Sequence, residues 1–166
     1  MSIKEIMIYP AEVLKKRSEP VEVVDDEIRV LVDDMAETMY AAPGVGLAAN
    51  QVGVTKRIAV IDIDHPEGES DLLVLINPEI VERSGEIEWE EGCLSFPDIN
   101  VKVQRSQKVR ITALNRDGEA YELEAQELLA VAIQHEIDHL DGITLANKMS
   151  FLQRRLMMRE LKNRGN

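Results

Sequence analysis

The chain has 166 residues, with 19 lysines and arginines against 31 aspartates and glutamates, and its net charge of −12 argues against a general nucleic-acid binder. A hydrophobic content of 45% excludes a disordered chain and fits one domain, residues 1–166, with a single core. No apolar run nears the roughly 20 residues that span a bilayer, MSIKEIMIYP has no leader pattern, and the lone Cys93 cannot form an internal disulfide, so a cytoplasmic protein without a membrane segment is expected.

In chain order, Asp25 and Asp26 open a segment with apolar residues at Ile28, Leu31, Val32, Met35 and Met39, which is helical spacing closed by Pro43 and Gly44. "GVGLAANQVG" reads as a small, flexible stretch, and "RIAVIDI" as a buried strand. "DHPEGESD" reads as an exposed loop, and "LLVLINPEI" and "VERSGEIEWEEG" as extended chain. "QKVRITAL" and "EAYELEA" alternate in polarity around Asn115 to Gly118, a hairpin. A helix is expected from Ala125 to Leu140, stopped by Gly142, and a second amphipathic helix over 150–162. Strands lie between one early helix and two late ones, so the fold class is α+β with largely antiparallel sheets.

The charge is unevenly spread. From Lys148 to Asn166 six cations face Glu160 alone, a tail of +5 on a body of −17. Such a tail is either a solvated helix face or a docking surface for an anionic partner such as ribosomal RNA.

The late helix carries the chemistry. "QHEIDH" places His135 and His139 four residues apart, on one helix face, with Glu136 beside the first. Two imidazoles at that spacing can reach one metal ion, and Glu136 is then a candidate general base. A catalytic site needs a third ligand and an open position for water. The extended H-E-x-x-H-x-x-G-x-x-H pattern fails because position 145 is Leu145. Glu160 sits in a surface-like helix and His65 in a polar loop. Cys93, in "EEGCLSFP", follows a glycine at a strand end, and a thiolate with two imidazoles is a known catalytic set.

"GVGLAANQ" (Gly44 to Gln51), "EGCLS" (Glu91 to Ser95) and "QHEIDH" (Gln134 to His139), in this order and spacing, resemble the peptide deformylase family. The resemblance implies antiparallel sheets around a central metal-binding helix, with an N-terminal and a C-terminal helix. It implies removal of the formyl group from the formyl-methionine that begins nascent bacterial proteins, with release of formate. Cys93, His135 and His139 would bind one divalent ion, generally iron(II), with zinc, nickel or cobalt as substitutes. Glu136 would move the proton, while the Gln51 amide and the Leu94 backbone N–H would donate to the developing oxyanion. The substrate would lie as an added strand along Gly44, Val45, Gly46 and Gly92, its methionine in a pocket of Val45, Trp89, Leu128, Val131 and Ala132. Glu91 and Asp138 would orient ligands or pair with a cation such as Arg105. The family further implies a monomer whose basic tail docks on the ribosome near the nascent-chain exit. One departure stands out: Asn100 occupies the place where many members carry an arginine toward the substrate's distal end.

Three other functions are consistent with the residues alone. A metallopeptidase would share the centre and prefer unformylated peptides. A binding protein without catalysis would not need Glu136 and Gln51. A redox thiol at Cys93 would not be protected from alkylation by metal.

Overall fold

The computed structural model describes residues 2–64 and 71–164, so residues 65–70 of the expected acidic loop, including His65, lie outside the described residues. Helix α1 spans Asp26–Ala41. Its start is fixed by the Asp25 carboxylate, which accepts from the Ile28 N–H at 3.0 Å, and by acidic residues in the first turn. Pro43, without an N–H, closes it.

The segment expected to be flexible is ordered and buried. Gly46–Ala48 forms β1 and Ala49–Val52 a 3-10 turn, with Leu47 to Gln51 all inaccessible to solvent. Its small residues allow close packing between two helices, a demand that local composition does not reveal.

Strands β2 (Ile58–Ile61), β3 (Leu73–Ser84), β6 (Lys108–Leu114) and β7 (Ala120–Gln126) join β1 in one antiparallel sheet, in the order β1-β2-β3-β6-β7. Between them, β4 (Ile87–Cys93) and β5 (Phe96–Arg105) pair as a separate two-stranded sheet. The predicted β6–β7 hairpin is present. Its turn is held by the Asn115 side chain, which accepts from the N–H groups of Asp117 and Glu119, both at 2.9 Å.

Helix α2 runs Glu127–Leu140, two residues shorter than expected. Ala125 and Gln126 still pair with Val109 and Lys108, and the chain turns into the helix at Glu127, whose φ is +57°. After a 3-10 turn at Leu145–Lys148, α3 spans Phe151–Arg164. Among the described residues no helix is long and apolar enough to cross a membrane.

The sheet lies between α1 and α2, and strand alternation divides its residues between them. Leu47, Ile58 and Val60 pack with Val32, Met35 and Met39 of α1. Ala48, Ala59 and Ile61 pack with Ile133, Ile137 and Leu140 of α2. A third cluster joins Phe96, Val101 and Val103 of β5 to Leu145, Ala146 and Met157, seating the small sheet against the C-terminal segment. The architecture is α+β, with antiparallel sheets packed around α2.

Candidate active site

Three elements deliver the functional groups. Helix α2 turns His135 and His139 to one side, the end of β4 brings Cys93, and the 3-10 turn after β1 brings Gln51. The register of β4 on β5 slips between Gly92 and Cys93, and this irregularity re-aims the strand end where the cysteine sits.

The Cys93 Sγ and one ring nitrogen each of His135 and His139 lie within 4.8 Å of one another. Sγ is 3.3 Å from His139 Nε2, which is 3.1 Å from His135 Nε2. Hydrogen bonds fix which nitrogen faces inward. His135 Nδ1 is 2.8 Å from the Glu91 carboxylate and donates to it, so Nε2 is the nitrogen that faces the cluster, where it can be offered to a cation on loss of its proton. His139 is held by its backbone, whose carbonyl accepts from the Asn50 side chain at 2.6 Å, while its Nδ1 is buried without a partner among the described residues.

The cysteine sulfur and two imidazole nitrogens thus converge on one point. They suit a divalent cation, and the borderline-soft N/N/S set fits zinc, iron(II), cobalt or nickel.

The electrostatics of the two rings differ. Burial favours neutral His135, but hydrogen bonds to Cys93 and Glu91 and the charge of Glu136 hold its pKa well above the ordinary value. His139 is pushed well below it, by burial first and then by the positive charges of His135 and Arg105. Burial works against the Glu91 carboxylate, yet hydrogen bonds from Arg105 and His135 leave its pKa lowered. Arg105 donates to both Glu91 oxygens at 2.8 Å and also pairs with Asp138, so the pairing expected of Glu91, Asp138 and Arg105 is present.

Glu136 is different. Burial pushes its carboxyl up to about 7, against a downward pull from His135, and its Oε1 has no hydrogen-bond partner among the described residues. It is a carboxyl poised near neutrality with one oxygen uncommitted.

Gln51 is equally constrained. Its Oε1 accepts from the Ala48 N–H at 2.9 Å, so Nε2 must face the cluster, 3.1 Å from Ser95 Oγ and 3.5 Å from Cys93 Sγ.

These groups open into a largely apolar cleft of about 730 Å³. Gly44, Val45 and Gly46 line one side of it, and Trp89, Gly92, Cys93 and Leu94 another. Leu128, Val131, Ala132, His135 and Glu136 of α2 also line it, together with Gln51. His139 lies behind, 1% exposed.

Ile6 and Ile8 of the N-terminal segment line the cleft as well, and the sequence analysis missed them. Met7 N–H donates to the Gln51 carbonyl at 2.6 Å and Tyr9 N–H to that of Ser95 at 2.9 Å, tying this segment across both halves of the site. Ile6-Met7-Ile8 is a short apolar run that hints at buried chain, but its partners are distant in sequence.

A family model described as polypeptide deformylase matches residues 3–155. This chain belongs to that family. A peptide deformylase from Acidobacterium capsulatum is 50% identical over 162 residues, 98% of this chain and 95% of that protein. One from Aquifex aeolicus is 50% identical over 157 residues, 94% and 93% of the two chains. The crystal structure of a peptide deformylase from Legionella pneumophila superposes with a TM-score of 0.92 at 44% identity, covering 98% of this chain and 95% of that one. That from Ehrlichia chaffeensis in complex with actinonin gives 0.93 at 40% identity, covering 99% and 98%. Peptide deformylases are metal-dependent enzymes that remove N-terminal formyl groups from nascent proteins.

Proposed function

We propose that this chain hydrolyses the formyl amide of N-terminal formyl-methionine on nascent proteins, releasing formate. One observation carries the proposal. A Cys/His/His cluster, a carboxyl poised near neutrality and a fixed amide donor meet in a single apolar cleft. Cys93, His135 and His139 would hold one divalent ion, iron(II) foremost, with zinc, nickel or cobalt as substitutes. When bound, the ion would supply Lewis acidity, making water a nucleophile near neutral pH and polarising the formyl oxygen.

The protein's own residues do the remaining work. The substrate backbone lies along the edges offered by Gly44, Val45, Gly46 and Gly92 as an added strand. Its methionine side chain enters the apolar recess of Val45, Trp89, Leu128, Val131 and Ala132. Glu136 takes a proton from the attacking water and passes it to the departing amine, so formate and a free N-terminus result from one water. The Gln51 amide and the Leu94 backbone N–H donate to the oxyanion that develops on the formyl carbon. Removing one such donor typically costs about 10²- to 10³-fold in rate.

This work belongs in the cytoplasm beside the ribosome. The basic α3, with Arg155 and Arg159 exposed, supports docking there, and the chain would act as a monomer. Asn100, paired with Gly92 across the small sheet, would leave a free substrate carboxylate without a cationic partner.

Three peptides differing only at the N-terminus (formyl-, acetyl- and free methionyl) test the substrate. Metal-loaded protein should cleave the formyl peptide alone. Cleavage of an internal bond in the free peptide would replace this proposal with a peptidase.

A further inference from the structure

The ion pair that orients His135 does not end at Arg105. Arg105 also pairs with Asp138, on the same helix as both histidines, and Asp138 Oδ2 lies 3.6 Å from Lys148 Nζ. The chain of contacts therefore runs Lys148–Asp138–Arg105–Glu91–His135. Its inner members are sealed, with Arg105 and Glu91 side chains 5% and 4% exposed, while Asp138 and Lys148 reach the surface at 22% and 32%.

Lys148 is not a loose surface residue. It ends the 3-10 turn that precedes α3, whose Leu145 and Ala146 are buried. The Asn147 side chain accepts from Thr144 N–H at 2.9 Å, and the Ala146 carbonyl accepts from Arg154 of α3 at 2.9 Å. The root of α3 thus presents its ammonium group to Asp138 from a fixed support.

We infer that Lys148 is a positioning residue for the metal centre, acting through Asp138 on the Arg105–Glu91 pair that holds His135. Arg105 is shared between two carboxylates, and Lys148 supplies Asp138 with a second cation. Asp138 holds one terminal nitrogen of Arg105 while Glu91 holds the other and Nε, and Lys148 keeps Asp138 in place. Without Lys148 or the Asp138 charge, Arg105 shifts and Glu91 loses hold on the Nδ1–H that orients the ring. The inference rests on Cys93, His135 and His139 binding metal.

The test is chelator-driven loss of nickel from the loaded full-length protein, followed by absorbance. Partners behind a metal-binding histidine typically change metal affinity 10- to 100-fold. Asp138→Asn should therefore speed loss about tenfold, and the more exposed Lys148→Met about threefold. Lys148→Arg should restore the wild-type rate, which a merely structural role would not require. Lys148→Met added to Asp138→Asn should speed loss no further, since both act on one path. Wild-type loss from Lys148→Met, or an additive double variant, overturns the inference while leaving the metal centre standing. A wild-type protein that retains no nickel overturns both.

Discussion

A Cβ at Gly46 would overlap the Glu136 carboxylate, so the absence of a side chain there sets where the proton-carrying group sits. Gly46→Ala must push that carboxylate aside. Displacements near 1 Å can cost about 10²-fold, and a loss of at least that size in kcat/KM is expected. Metal content should not change, which metal analysis alongside the kinetics would check. Near-normal activity would mean that Glu136 does not need this position. At this scale the two histidines are legible, because a four-residue spacing puts them on one helix face, and Glu136 stands out as the carboxylate beside the first. Cys93 followed by elimination. Gln51 was not legible without the family pattern, since its role depends on the Ala48 N–H capturing its oxygen, a contact set by the buried turn.

At the level of elements, the β4–β5 hairpin decides whether Cys93 reaches α2. Phe96 anchors it, 1% exposed and packed with Val101, Val103 and Met157. Phe96→Ala should lower stability by about 3–5 kcal/mol, measured by chemical denaturation, and should also loosen metal binding, because Phe96 pairs with Cys93. A small loss of stability would show that the hairpin is held from elsewhere. All three helices and the strands β2, β3, β4, β6 and β7 are readable from apolar periodicity, but β1 lies in a stretch that reads as flexible and β5 carries no clear strand pattern. The start of α2 is not readable, because the alternation of β7 runs straight into the helix and the break falls at a glutamate with left-handed backbone. The separate pairing of β4 with β5, and the N-terminal segment laid across Gln51 and Ser95, are long-range contacts that no local pattern announces.

For the whole molecule, the net charge of −12 coexists with a tail of opposite sign. The tail could not simply be deleted to test docking, since Met157 and Leu161 pack on the hairpin. Reversing the exposed Arg155 and Arg159 to glutamate avoids that difficulty. Co-sedimentation with ribosomes should fall at least tenfold in the double variant, and in the wild type as salt rises from about 0.05 to about 0.5 M, where charge interactions are screened within roughly 4 Å. Activity on a short formyl peptide should be retained, because these residues lie away from the cleft. Unchanged sedimentation would remove the tail from ribosome docking.

The most direct measurement is formate release from a formyl-methionyl peptide by nickel-loaded wild type and Glu136→Gln, with bound metal quantified in both. The wild type should release formate rapidly, and the variant should hold its metal yet lose at least 10²-fold in rate, the lower end of what a positioned acid–base group contributes. Equal rates at equal metal content would contradict the assignment of proton transfer to Glu136. No release from either protein would contradict the proposed deformylation itself.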